Sequence, residues 1–264
     1  MDNLDGIYLR PIAHIHTDYA QKFGIPRQSG LVSEAQGVIE FEPEFAKNKA
    51  VMGLDEFTHL WLLWHFQNGL EGGGAQDVRE DYAAEQEECA PTQRSAQSVV
   101  DEALNRRWSA TVRPPRLGGA VKKGVFATRS PFRPNPVGLS CVRIDFVETT
   151  PQGPLIHVLG ADLRDGTPIF DIKPYLPLAD CWPEASGGFT DQVETQLLQV
   201  EIADDLLECI PYQKQQAVIQ VLENDPRPVG ANDPDRTYSL AYAGLEIQFT
   251  VTENVATVVS VDVL

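Results

Sequence analysis

The chain has 264 residues, 42% of them hydrophobic, with a formal net charge of −17 and no apolar run near the ~18 residues of a membrane helix. This balance fits a soluble globular protein of one large or two modest domains; it excludes a helical membrane span and, taken globally, argues against a polyanion partner. The opening MDNLDGIYLR lacks the apolar core of a secretory leader, and four scattered cysteines, Cys89, Cys141, Cys181 and Cys209, form neither a CxxC pair nor a disulfide framework, so a cytoplasmic location is expected.

Ile7 to Thr17 reads as a strand with His14 and His16 on one face and Ile15 on the other. Two histidines fall short of a zinc ligand set, so no metal is assigned and the pair is taken as structural or RNA-facing. Lys22 to Val32 contains Pro26, Arg27, Gln28, Ser29 and Gly30, a composition that makes an irregular loop rather than a helix. Gly37 to Phe41 is a short strand. Leu60 to Phe66 is an apolar run that fits a buried strand ending at His65 and Phe66, with Trp61 and Trp64 both taken as core. Gly72 to Gly74 then open an insertion over about 71–105 that carries nine acids and two arginines, the composition of a flexible segment or lid, with one helix near Ser95 to Arg106.

Arg113-Pro114-Pro115-Arg116 has the makings of polyproline geometry, which presents both arginines outward with little ordering left to do on binding. The stretch GVFATRSPFRPNPVGLS, Gly124 to Ser140, sets Pro131, Pro134 and Pro136 among Arg129, Phe132, Arg133 and Asn135. Each proline fixes φ and removes a donor, so this is a rigid loop, pinned between strands expected at Gly124 to Thr128 and Val137 to Phe146. Charge is concentrated here. Between Arg106 and Ile144 lie nine basic residues and no acid, while the other 225 residues hold 12 basic and 38 acidic groups, so +9 here and −26 elsewhere give −17. A basic face on an acidic body binds a polyanion in one orientation, which reverses the global judgement; the alternative is a patch paired with the chain's own acids.

Leu155 to Leu159 continues the sheet after a turn at Thr149 to Pro154. In Asp162 to Pro168, Gly166 permits close approach of a cation or a ribose diol to the backbone beside Asp165, although an ordinary Asp-Gly turn is the simpler reading of these residues alone. Asp171, Lys173 and Tyr175 share a face if extended. From Asp180 the composition changes to a strand at Gln192 to Ile202, helices at Ala203 to Ile210 and Pro211 to Leu222 with Pro211 in the first turn, and a hairpin of Leu245 to Val251 and Val255 to Val263. No GxGxxG follows a strand, GGAVKKG lacks the P-loop ending, and no GxSxG occurs, so Rossmann, ATP-driven and hydrolase chemistries are unsupported. The fold class expected is mainly β, α+β overall.

Five blocks, in order, resemble the TsaA/TrmO-like family of S-adenosylmethionine-dependent tRNA (adenine-N6)-methyltransferases. They are KFGIPRQSGLV (Lys22 to Val32), LWLLWHF (Leu60 to Phe66), VRPPRLGG (Val112 to Gly119), GVFATRSPFRPNPVGLS, and ADLRDGTPIFDIKPYLP (Ala161 to Pro177). NDPRP (Asn224 to Pro228), followed by Arg236 and Tyr238, resembles the C-terminal domain of bacterial members. The resemblance implies a single-sheet β-barrel methyltransferase domain over 1–179 and a small α+β domain over 180–264. It further implies S-adenosylmethionine as donor, contacted by Pro26, Arg27, Gln28, His65, Phe66, Arg129, Leu139, Leu163, Asp165, Gly166 and Thr167. The implied partners are the tRNA anticodon loop and a second copy in a homodimer; the implied acceptor is N6 of threonylcarbamoyladenosine beside the anticodon. The acidic insertion departs from the family pattern, which runs almost directly from the apolar strand to VRPPRLGG. A urea-like N6 is a poor nucleophile, so Asp165 is the candidate catalytic proton acceptor. Arg113, Arg116, Lys122, Lys123 and Arg133 are the candidate RNA contacts. Two other readings stay open: a non-catalytic barrel that binds RNA or an adenine-containing ligand, and a methyltransferase with another acceptor.

Overall fold

The computed structural model describes residues 8–66, 108–114, 121–193, 196–228, 230–231 and 233–264. Arg116, the 71–105 insertion and the helix expected near Ser95 to Arg106 lie outside them. The chain divides into two compact units, Met1–Trp64 with Leu139–Leu264, and His65–Gly138.

The barrel strands are β1 (Ala13–Thr17), β2 (Gln36–Phe41), β3 (His59–His65) and, after a small pair β4 (Thr111–Val112) and β5 (Lys123–Gly124), β6 (Val137–Thr150), β7 (Gly153–Leu159) and β8 (Thr167–Pro174). Six of them close in the order β1-β2-β7-β6-β3-β8, which leaves no sheet edge to protect. Period-two alternation decides what lies inside: on β3 the buried Leu60, Leu62 and Trp64 alternate with the half-buried His59, Trp61 and Leu63. Trp61 is therefore not core. It stands on the outer face, 5.8 Å from the Tyr175 ring, and donates from Nε1 to Asp180 Oδ2 at 3.0 Å.

Strand limits follow backbone chemistry. The strand expected from Ile7 begins only at Ala13, just after Pro11, which has no N–H to give a ladder; Ile12 N–H already bonds Ile169 O at 2.8 Å. Gly124 to Thr128 is not a strand beyond Gly124. Val125–Ala127 forms a 3-10 turn, closed by Thr128, whose N–H and Oγ1 both donate to Val125 O at 3.1 and 2.8 Å; a threonine hydroxyl competing for that carbonyl diverts the chain from the sheet.

The C-terminal part forms a four-stranded sheet in the order β10-β11-β12-β9, with β9 (Gln199–Glu201), β10 (Tyr238–Tyr242), β11 (Leu245–Thr252) and β12 (Val255–Val263). A short helix α1 (Pro177–Asp180) follows the barrel, and two more, α2 (Asp204–Glu208) and α3 (Tyr212–Glu223), accompany the sheet. The expected strand from Gln192 shrinks to β9, with Gly188–Gln192 a 3-10 turn, and Pro211 precedes α3 as its N-cap rather than opening its first turn. Ala217, Val218, Val221 and Leu222 make one buried face of α3. They share a core with Ile247, Phe249 and Val258 of the sheet and with Tyr19, Val32 and Ala35 from the connection between β1 and β2.

Candidate functional site

The turn before β8 is tied to β1 and the residues after it. Asp165 N–H donates to Tyr19 O and Gly166 N–H to Ile15 O, both at 2.9 Å. Thr17 Oγ1 donates to Leu163 O at 2.9 Å, and Arg164 Nε to Ala20 O at 3.2 Å. Thr167 closes the turn by donating from N–H and Oγ1 to Arg164 O at 3.2 and 2.6 Å. Leu163 and Thr167 are buried. Gly166 has φ +74°, a conformation that strains any residue with a Cβ. What the turn leaves outward is the half-exposed Asp165 carboxylate, whose Oδ1 accepts Thr17 N–H at 3.1 Å and lies 3.4 Å from His16 Nδ1. His16 Nε2 in turn stands 3.4 Å from Glu40 Oε2, so the imidazole bridges two carboxylates. A cleft of about 530 Å³, lined in part by His14, His16, Glu40 and Glu42, opens beside it, and His14 Nδ1 pairs with Glu42 Oε1 at 2.9 Å.

The loop that carries Pro26, Arg27 and Gln28 is fixed just beyond them. Ser29 Oγ accepts Cys141 N–H at 3.1 Å, Gly30 N–H donates to Gly160 O at 2.9 Å, and Asn224 Nδ2 donates to Leu31 O at 3.1 Å. The approach at Gly160 is close: a Cβ there would stand 3.3 Å from Gly30 Cα. Gln28 Nε2 donates to Arg27 O at 2.6 Å. Leu139 is exposed, whereas its neighbour Ser140 is buried, accepting Trp64 Nε1 at 3.0 Å and donating to Asp162 Oδ1 at 2.6 Å. Each polar group in this interior chain is satisfied, and it fixes the start of the Asp165 turn. Burial, and secondly the charge of Asp180, push the Cys141 thiol up from its ordinary pKa, which disfavours a thiolate there. These bonds gather the loop at Pro26 to Gln28, Leu139 and Leu163 to Thr167 at one end of the barrel.

In the second unit, β4 and β5 pair Thr111 with Gly124 and Val112 with Lys123. Arg113 and Lys122 continue these two strands, so basic residues from two separate sequence blocks meet on one hairpin. Among the described residues, the proline-rich loop that follows bonds largely to its own atoms. Arg133 Nη1 donates to Thr128 O at 2.6 Å and to Val125 O at 3.4 Å, and its guanidinium lies 5.9 Å from the Phe126 centroid. Ser130 N–H donates to Thr128 Oγ1 at 3.3 Å and Phe132 N–H to Ser130 Oγ at 3.2 Å. Two carbonyls anchor the loop, Phe132 O accepting Ser109 N–H at 3.1 Å and Pro136 O accepting Phe66 N–H at 3.0 Å. Phe66, at the end of β3 beside His65, is thus bound to this loop, and Arg129 sits within it between Thr128 and Ser130.

Sequence reasoning missed the link between His16 and Asp165 and the role of Ser140. The alternation that puts His16 outward and Ile15 inward was a visible signal for the first; nothing local marks Ser140, whose partners are Trp64 near the end of β3 and Asp162 in the connection between β7 and β8. The tRNA-methyltransferase O N-terminal domain profile matches residues 14–97 and 93–181, and the TrmO C-terminal domain profile matches 188–264. The chain is 34% identical over 257 residues to the tRNA (adenine(37)-N6)-methyltransferase of Escherichia coli K12, with 92% of each chain covered. It is 43% identical over 155 residues to the protein of the same name from Eikenella corrodens, covering 58% of this chain and 87% of that one. The crystal structure of TrmO from Pseudomonas aeruginosa superimposes with a TM-score of 0.68 at 26% identity, covering 97% of this chain and 98% of that chain. Closed barrel, α+β C-terminal part and profile matches along the chain agree: this protein belongs to the tRNA-methyltransferase O family.

Proposed function

We propose that this chain transfers the methyl group of S-adenosylmethionine to N6 of an adenine in tRNA, and that this adenine carries a threonylcarbamoyl group beside the anticodon. The observation that carries the reading is the end-to-end match to a relative named for tRNA adenine-N6 methylation. The residues fit the donor. The space beside Gly166 Cα is open, so a ribose or a sulfonium can approach the backbone, and the adjacent Asp165 carboxylate favours a cation or a hydroxyl pair. We assign donor contacts to Pro26, Arg27, Gln28, His65, Phe66, Arg129, Leu139, Leu163, Asp165, Gly166 and Thr167.

S-adenosylmethionine supplies a methyl group already activated by its sulfonium. The chain's own part is to hold the acceptor nitrogen in line and to receive its proton. Asp165 takes the N6 proton on its carboxylate, which Thr17 N–H and His16 hold in place. Arg113, Arg116, Lys122 and Lys123 contact RNA phosphates, and Arg133 serves the same surface by fixing its loop. An anticodon-loop base is already unpaired, so no duplex has to be opened. Residues 1–179 form the catalytic domain and 180–264 a supporting one, in a cytoplasmic homodimer.

The test is transfer of radiolabelled methyl from S-adenosylmethionine to tRNA from a strain lacking the activity, beside tRNA that also lacks the threonylcarbamoyl group. Label in the modified tRNA alone is the expected result. Label in both tRNAs, or in neither although the protein binds the donor, would move the acceptor elsewhere; failure to bind the donor would end the catalytic reading.

A further inference from the structure

Phe126 is 73% exposed, while Val125 beside it is buried. Its exposure does not come from a loose chain. It sits at the centre of the Val125–Ala127 turn, which Thr128 closes with two bonds to one carbonyl, and one side of its ring faces a guanidinium that Arg133 holds in place through Thr128 O and Val125 O. The arginine thus braces the ring by a cation–π contact and at the same time locks the turn beneath it. The setting is cationic: Lys122, Lys123 and Arg129 lie within four residues, and no acid occurs between Arg106 and Ile144.

A rigid, exposed aromatic ring in a basic surround has the chemistry of single-strand nucleic-acid recognition, in which cations meet the phosphates and the ring takes the face of a base. A docking protein would favour a broad apolar groove, and a single ring set among cations is not one. We propose that Phe126 is a stacking platform for an unpaired base of the tRNA loop. This rests on the tRNA reading above and adds to it a source of specificity. Bases inside a stem have no free face, so the ring favours loops over helices, a distinction that phosphate contacts alone do not make.

The experiment compares wild type, F126A, F126L, F126Y and F126W in binding an anticodon stem-loop RNA and a blunt duplex of the stem alone, with the affinity for S-adenosylmethionine measured beside them. F126A is expected to weaken stem-loop binding about tenfold while leaving duplex and donor affinities unchanged. F126Y and F126W should retain binding and F126L should not. Addition of the stem-loop, but not of the duplex, should quench the added fluorescence of F126W. Stem-loop binding by F126A or F126L at wild-type strength would overturn the inference, as would a loss confined to the donor, which would place the ring in the donor pocket. If F126A fails to fold, F126W decides, and unchanged fluorescence at saturating stem-loop overturns it. If the wild type itself does not bind the stem-loop, the proposed function falls and this inference with it.

Discussion

The two loops that carry the chemistry are held in opposite ways. The Leu163 to Thr167 turn is fixed by bonds to residues far away in sequence, Ile15, Thr17, Tyr19 and Ala20, and shows one carboxylate outward. Among the described residues, the Val125 to Pro136 loop is fixed mainly from within, by its own hydroxyls and by a charged side chain that bonds its carbonyls. In the first, scaffold and chemistry are separable: backbone holds, Asp165 acts. In the second they are mixed, since an arginine that reads as a phosphate ligand is part of the frame.

The sharpest break between the two is a change of chemistry without a change of scaffold. Asp165→Asn keeps an acceptor for Thr17 N–H but removes the proton acceptor, so kcat at saturating donor should fall about 100-fold or more and donor affinity should weaken, while the melting temperature stays near wild type. An enzyme that turns over normally as D165N would deny Asp165 that role. Arg133→Ala should do the reverse, loosening the frame. Hydrogen bonds from a charged group are worth about 1.5–3 kcal/mol, so hydrogen exchange in the loop should quicken and tRNA affinity drop about tenfold. Arg133→Lys should not restore it, because a lysine nitrogen sits one bond short of Nη1 and has no guanidinium plane to set over the Phe126 ring.

Salt dependence tells frame from ligand. Removing a phosphate contact reduces the slope of log affinity against log salt by roughly 0.7–0.9. Lys123→Ala should show that reduction with a several-fold weaker affinity at low salt, whereas Arg133→Ala should lose affinity at an unchanged slope. Equal slope changes in the two variants would make Arg133 a phosphate ligand and erase the contrast between the loops.

Much of the barrel is legible in the sequence because alternation is a local signal: β2, β3, β6 and β7 appear near their observed limits, and so does the β11–β12 hairpin. The failures have particular causes. Trp61 and Trp64 are three residues apart, an odd spacing that puts them on opposite faces of a strand. The residues after Gly124 look β-forming, yet one Thr128 hydroxyl turns them into a 3-10 turn. β10 is masked because Leu240, Ala241 and Tyr242 are buried in succession, so no alternation marks it. At the site, the Gly166 turn is visible as Asp-Gly, but Thr17 and His16, which hold Asp165, are brought to it only when barrel closure pairs β1 with β8 across a separation of 148 residues.

The smallest effect at neutral pH tests whether the scaffold of the Asp165 turn has a weakness that the other loop lacks. Tyr19, whose carbonyl accepts Asp165 N–H, packs edge-on against Tyr242 at 5.1 Å. Both hydroxyls are buried without a hydrogen-bond partner among the described residues. Burial, and after it the nearby Asp18 carboxylate and, for Tyr242, the Tyr19 phenol, push both phenols well above the ordinary tyrosine pKa. The folded chain therefore keeps protons that the unfolded chain releases above about pH 10. Stability from this source is fully present below that pH and falls above it, by about 1.4 kcal/mol per pH unit for each tyrosine. Tyr242→Phe removes one such proton and an orphaned hydroxyl, so at pH 7 it should shift stability by less than about 1 kcal/mol, yet lessen the alkaline loss measured by urea denaturation at pH 10 and 11. An alkaline loss of wild-type size in Y242F would place its origin outside the tyrosine pair. Hydrogen exchange then separates the loops, because ionisation at Tyr19 undercuts the backbone bond beneath Asp165, whereas none of the bonds found in the Val125 to Pro136 loop depends on a buried phenol.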